Sequence, residues 1–476
     1  MSNLKVVFMP HPPIIIPEIG GGKELEAQRT IEAMESLGQL VRDIKPDTII
    51  FTTPHGNSFS NGTCILQGET LKGDFSTFGY PKITFEKKVN KRLSQSIFDL
   101  FEENDFVSIL LDGKLANRYG VEATLDNGVM VPMYFIDKYY KDYDIVHITP
   151  GFTPLEENYS LGKIIQDIIK QENRSIILVC SGDLSHALKD EGPYSFHPSG
   201  PSFDKKMENA IRDRDPLPLI TMDDNFVEEA AQCGLRSFLI GFGLLDGYKY
   251  DSKVLSYEGP FGVGYLTGCF MVHKDQKEAS LLPKIGDYIM GNYQQKIADE
   301  DDYIKLARMA IEAYARYGRR LVFEEVKEVF TKEFIQKAKT QKAGTFVSIH
   351  KNGELRGCIG TISPTKDDII QEIINNSISA SGHDPRFNAV EPKELMDLDI
   401  KVDILMDPEL IKSKCELDVN EYGVIVEKGH KRGLLLPNLD GVDTIEEQVR
   451  IAMDKAGISK EEGMRLYRFK VIRHEA

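Results

Sequence analysis

The stretch LKVVFMPHPPIII, residues 4–16, decides how the first half of the chain is read. A run of apolar and β-branched residues gives way at once to Pro10, Pro12 and Pro13, which have no backbone N–H to offer a sheet ladder. The strand therefore ends here, and His11 is held at its mouth on a stiffened backbone. The device recurs in DTIIFTTPHG (47–56), where the apolar run stops at Pro54 and His55 follows. Two further runs, YDIVHITP (143–150) and RSIILVCSG (174–182), end in the same proline or glycine punctuation. Between the strands lie helical patterns such as GKELEAQRTIEAMESLGQLVRDI (22–44), with apolar residues at spacings of three and four. This alternation predicts an α/β domain with a mixed or mostly parallel sheet flanked by helices. In such sheets the ligand crevice lies beyond the carboxyl ends of the strands. His11, His55 and His186, the last in IILVCSGDLSH (176–186), all fall there.

At 476 residues the chain exceeds a single core. The pattern changes near HKDQKEASLLPK (273–284), so the expected division is a first domain over 1–275, a linker over 276–295 and a second domain over 296–476. The second half has its own strands in GTFVSIHKNGELRGCIGTI (344–362), DIKVDILM (399–406) and GVIVEKGHKRGLLLP (423–437). With helices from about 303, over 366–380 and over 444–456, it reads as α+β. A formal net charge of -16 argues against non-specific nucleic-acid binding, which needs a basic surface. No apolar run reaches the length of a membrane span, and no signal core opens the chain. Six scattered cysteines make no disulfide framework, so a reducing cytoplasm is expected.

The two proline-flanked histidines suit a metal such as Fe(II) or Zn(II), provided their strands are neighbours. A third ligand should be anionic. Cys233 in EEAAQCGLRSF is one candidate, at or just before a helix start that would favour a thiolate. Glu229 and Glu228 are the others, and Cys233 can also be read as a small buried hydrophobe. His186, three residues after Asp183, is the natural general acid/base beside a metal, unless it is simply a local cap. His197 is placed to bind substrate, and His147, inside a strand, reads as a core histidine.

PHPPIIIPEIG, TTPHG, CSGDLSH and CGLRS, in this order, resemble the LigB-type class III extradiol dioxygenase superfamily and its Memo branch. The resemblance covers about residues 1–275. It implies a non-heme iron held by His11, His55 and a variable third ligand, with His186 as acid/base. The Memo branch is similar in offering Cys before Gly, which selects Cys233. Where relatives often read Asp-His-Gly, this chain has Asp126-Asn127-Gly128. Asn127 moves no protons, which speaks against full ring-opening activity and leaves it a hydrogen bond to a substrate oxygen.

In the second half, GELRGCIGT (353–361), HDPRF (383–387) and GLLLPNLDGVDTIEEQ (433–448) resemble the AMMECR domain. Gly357 and Gly360 allow a bulge or a close backbone approach. Arg356, Cys358, His383 and Arg386, if they converge, make a site for a small anion or a nucleophilic thiol. Against that stands a tight strand with Cys358 buried. The order of the two halves is similar to one component of the AmmeMemoRadiSam system, which implies radical-SAM and Memo-like partner proteins. The expected function is a metal-dependent, dioxygenase-like enzyme acting on a chelating phenolic or enolic small molecule, with Fe(II), Zn(II) or Mn(II). The alternative is a metal-binding scaffold that has lost turnover.

Overall fold

A computed structural model describes residues 5–172, 174–351, 353–439 and 441–475. Leu4, Asn352 and Asp440, each inside a stretch quoted above, lie outside the described residues. The chain forms two units, Met1–Tyr288 and Ile289–Ala476.

The first unit is built on β1 (Lys5–Met9), β2 (Thr48–Thr52), β3 (Thr63–Leu66), the hairpin β4 (Thr70–Phe75) and β5 (Tyr80–Lys88), β6 (Ser108–Leu111), β7 (Asp144–Thr149), β8 (Ile176–Ser181), β9 (Tyr248–Glu258) and β10 (Tyr265–Lys277). Eight of these form one sheet in the order β6-β3-β7-β2-β8-β1-β10-β9. The four apolar runs read from sequence are the central strands β7-β2-β8-β1, paired in parallel. Antiparallel strands close both sides, so the sheet is mixed, as the alternation predicts. Helices Gln28–Ile44, Asn127–Asp137, Leu155–Gln171 and Leu235–Leu245 supply much of the cover. Central parallel strands are buried on both faces, which is why β2 and β8 read as unbroken apolar runs rather than alternating ones. On one face Val7, Met9, Phe51 and Val179 pack against Met34, Leu37 and Phe135.

Residues 276–295, expected as a linker, hold the end of β10 and most of a helix, Leu282–Asp299. The only buried residue of that helix is Ile285. The second unit has two four-stranded sheets. One is β12 (Glu354–Gly360), β11 (Thr345–Lys351), β13 (Leu398–Leu405) and β18 (Val471–His474). The other is β14 (Glu409–Ile411), β17 (Arg465–Phe469), β15 (Gly423–Lys428) and β16 (Lys431–Leu435). All their pairings are antiparallel. Helices Asp302–Tyr317 and Ile369–Gly382 pack on the first sheet through Leu306, Ile370 and Ile374 against Val347 and Ile400. Helix Ile445–Ala456 covers the second through Val449 and Ala452. Among the described residues no helix is long and apolar enough to cross a membrane.

Candidate metal centre

His11 follows β1, His55 follows β2 and Asp183 follows β8, and the three strands are neighbours. Their register pairs Met9 with Ser181 and Thr52 with Cys180, so the carboxyl ends are level and the three residues leave the sheet together. Cys233 arrives from a distant segment, the turn before helix Leu235–Leu245. Two glycines make its approach possible. A Cβ on Gly182 would lie 2.2 Å from the Gly234 Cα, and one on Gly234 would lie 2.9 Å from the Asp183 carbonyl. With neither present, the helix start presses onto the end of β8. Ala231, two residues before Cys233, takes φ 49°, a left-handed conformation that strains a non-glycine residue.

The Cys233 Sγ lies 3.5 Å from His11 Nε2 and accepts the Asp183 N–H at 3.3 Å. One ligand atom each from His11, His55 and Cys233 falls within 4.8 Å of the others. A metal stands about 2.0–2.1 Å from an imidazole nitrogen and about 2.3 Å from a thiolate sulfur, so donors sharing one are roughly 3.5 Å apart. The donor chemistry also fits. The Ser181 hydroxyl donates to the Gly128 carbonyl, so it must accept from His11 Nδ1 at 2.8 Å. That fixes the proton on Nδ1 and leaves the Nε2 lone pair facing Cys233, the arrangement seen where an outer partner orients a metal-bound imidazole. The His11 N–H donates to Asp183 Oδ1 at 2.9 Å, tying the two strand ends together.

Burial, opposed by Asp126 and reinforced by His186, brings the pKa of His11 down to about 4. His55 is the more open of the pair, yet burial of its ring and the proximity of His11, 4.7 Å between centroids, bring it down to about 4 as well. Both imidazoles are therefore neutral near pH 7, as ligands must be. Burial raises the Asp183 carboxyl to about 6 against the His11 N–H and the charges of His186 and His55. Burial and Asp183 push the Cys233 thiol well up, so a metal must displace its proton.

His186 is half-buried, with its pKa lowered by burial and partly restored by Asp183. Its ring lies 6.0 Å from that of the exposed Tyr194. Asn127 opens helix Asn127–Asp137, capped by Asp126. His197 donates its N–H to the Ala187 carbonyl at 3.0 Å, while its Nδ1 accepts the Ser199 N–H and lies 3.8 Å from Glu229 Oε2. Glu229 also accepts the Ser199 hydroxyl at 2.7 Å, so this acidic alternative is engaged away from the two histidines, and Glu228 is exposed.

Sequence reasoning passed over Asp126, Thr53 and the partner of His147. His147 is fully buried, as read, but its Nε2 is 2.7 Å from Asp126 Oδ2. Burial raises the Asp126 carboxyl, and hydrogen bonds from His147 and Thr53 with the nearby charges more than reverse this, leaving it below its ordinary value. An aspartate before a helix signals a cap; nothing in the sequence gives its second bond.

In the second unit the four expected residues do not make one open site. Arg356 is clamped by Glu394 at 3.0 and 2.9 Å and donates to the carbonyls of Asn388 and Ala389, which leaves it unavailable to an anion. Arg386 pairs with Asp384 at 2.9 and 2.7 Å. Together these two grip the free edge of β12, Asp384 accepting the Cys358 N–H and Arg386 donating to its carbonyl. His383 Nε2 lies 3.1 Å from the Tyr314 hydroxyl. Burial raises the half-buried Cys358 thiol, while a hydrogen bond from Ser348 and the Arg386 charge oppose this. A register shift sets Arg356 out of the β11–β12 ladder, and a Cβ on Gly357 would lie 2.3 Å from the Ala380 carbonyl, so the expected bulge and close approach occur together.

Residues 5–268 match the family model of the catalytic LigB subunit of aromatic ring-opening dioxygenase, and residues 304–474 match that of AMMECR1. Protein CA_C1420 of Clostridium acetobutylicum is 39% identical over 475 residues, covering 100% of both chains. A protein of Thermotoga maritima is 48% identical over 178 residues, 37% of this chain and 98% of its own. Among solved structures, protein PH0010 of Pyrococcus horikoshii is similar over 36% of this chain and 88% of its own, with 29% identity and a TM-score of 0.32.

Proposed function

Because the chain belongs to the LigB family through residues 5–268 and carries an AMMECR1 domain over 304–474, we propose that its first unit is a metal-dependent, dioxygenase-like enzyme acting on a chelating phenolic or enolic small molecule. His11 Nε2, His55 and Cys233 Sγ hold the metal, Fe(II) ahead of Zn(II) or Mn(II). When bound, the ion supplies a Lewis acid for two neighbouring substrate oxygens and, as iron, an electron source for oxygen chemistry. His186 takes the proton of the bound hydroxyl, and its lowered pKa keeps it a base near pH 7. Asp183 offsets the charge that His186 then gains, and Asn127 donates a hydrogen bond to a substrate oxygen. The observation that carries this reading is the convergence of two neutral imidazoles and one thiol at the carboxyl edge of a largely parallel sheet.

The test is elemental analysis of full-length protein purified without oxygen and without added metal. Near-stoichiometric metal is expected, lost in both His11→Ala and Cys233→Ala. A wild type that stays metal-free after reconstitution with Fe(II), Mn(II) and Zn(II) overturns the reading.

A second reading has Asn127 in its favour, since that side chain cannot shuttle protons. On it the first unit holds metal as a scaffold for radical-SAM and Memo-like partner proteins. Metal-loaded protein that turns over none of a panel of catechols and enols, yet is captured by a radical-SAM protein, selects this reading over the first.

A further inference from the structure

Beside the ligand cluster runs a second set of contacts, centred on the turn Asp126–Gly128. His147 Nε2 donates to Asp126 Oδ2 at 2.7 Å, the Thr53 hydroxyl donates to Asp126 Oδ1 at 2.6 Å, and the His55 N–H donates back to Thr53 Oγ1 at 3.2 Å. Gly128 extends the set toward the other histidine. Its N–H donates to Asp126 Oδ1 at 2.8 Å, and its carbonyl accepts from Ser181, which fixes the His11 tautomer. One turn therefore braces both histidines. Packing closes the arrangement: a Cβ on Gly56, directly after His55, would lie 2.7 Å from His147 Cε1 and 2.2 Å from Thr149 Oγ1. The turn that carries His55 rests on the ring of His147.

We propose that His147 is a positioning residue for the metal centre, holding His55 in place through Asp126 and Thr53 and keeping the Asp126 carboxylate beside the ligands. The inference rests on the metal-binding reading above. His147 is fully buried on β7, and its Nδ1 meets no partner among the described residues. A buried nitrogen left unpaired is unfavourable, and a phenylalanine would fill the same space without it. The bond from Nε2 to Asp126 accounts for a histidine here. Charge points the same way. Two neutral imidazoles and one thiolate leave a divalent ion with one uncompensated positive charge, and Asp126 is, with Asp183, one of the carboxylates placed beside the ligands to offset it. Outer partners of this kind orient metal ligands and tune the affinity of the site.

Titrating the metal-free, full-length protein with Co(II), read by its visible absorption, tests this without any substrate. His147→Phe keeps the volume and loses the donor; it should weaken Co(II) binding on the order of 10- to 100-fold and alter the spectrum. His147→Gln, which can still donate to Asp126, should recover most of both. Melting curves of the metal-free variants show whether each one folds. If His147→Phe is unfolded, Asp126→Asn and Thr53→Val cut the same chain one and two links on and should weaken binding in the same direction. Wild-type affinity and spectrum in a folded His147→Phe, or in both link variants, overturn the proposal. A wild type that binds no Co(II) at a His11-dependent site overturns the metal reading itself, and this inference with it.

Discussion

His11, His55 and Cys233 in the first unit, and Arg356, Cys358 and Arg386 in the second, are equally conspicuous in the sequence, yet the fold treats their functional atoms in opposite ways. In the first unit Ser181 binds the far side of the His11 ring, taking Nδ1 and leaving Nε2 facing Cys233. In the second, the charged atoms are spent on the protein itself. Glu394 and two carbonyls take Arg356, while Asp384 and Arg386 take each other and the edge of β12. An unpaired strand edge invites pairing with another chain, and this clasp blocks it at Cys358. The comparison teaches that a polar motif marks a site where the fold leaves a lone pair such as His11 Nε2 facing other ligand atoms, and a fastening where neighbours take up its charged atoms, as they do with Arg356.

Four experiments strain that contrast. The largest effect is expected from Cys233→Ser, which should lower metal affinity by more than the roughly 100-fold typical of outer-partner losses and leave the melting of the second unit in place. Equal metal content in the variant would erase the first half of the contrast. Next, Arg356→Ala should destabilise the second unit by about 2–4 kcal/mol, because it strands Glu394 and two carbonyls. Denaturant melts would check this, with metal content unchanged. An unaltered melt would mean that Arg356 fastens nothing.

Gly234→Ala sharpens the first half without removing a donor. Its Cβ would meet the Phe238 ring at 2.5 Å and the Asp183 carbonyl at 2.9 Å, so Cys233 must shift. Metal affinity should fall about 10-fold, comparable to losing an outer partner, while Cys233 remains titratable by thiol reagents. The smallest effect concerns a fastening inside the first unit. Asp204, buried on helix Ser199–Asp213, accepts the Ser185 N–H at 2.8 Å and the Tyr257 hydroxyl at 2.7 Å, holding the loop that ends in His186. Burial raises its carboxyl to about 7, against both hydrogen bonds. Between about pH 4 and pH 7 the folded chain keeps a proton that the unfolded chain has released, so stability falls as pH rises. Asp204→Asn should flatten that slope in melting temperature; an unchanged slope assigns it to another group.

Much of the architecture was legible because it follows from local rules. β-branched runs closed by proline or glycine located the four central strands, and three- and four-residue spacing over 22–44 located helix Gln28–Ile44, which a 3-10 segment over Lys23–Ala27 precedes. The helix Leu282–Asp299 was missed although Ile285, Ile289, Tyr293 and Ile297 recur every four residues along it, because the polar stretch leading into it was read as a linker. His11 and His55 stood out because each follows a strand that stops at proline. Asp126 was noted only as a neighbour of Asn127, its capping and second bond being tertiary facts, and His147 was read as a buried strand residue without its partner.

By itself the sequence determined that strands end at His11, at His55 and just before Asp183, since backbone N–H groups and apolar spacing are properties of a few consecutive residues. Only the tertiary structure decided that those ends are neighbours, that Cys233 rather than Glu229 joins them, and that Arg356 is consumed by Glu394. The reason is physical: whether a donor atom is free depends on what lies within hydrogen-bonding reach of it. For Cys233 and His11 that neighbour is 222 positions away in the chain.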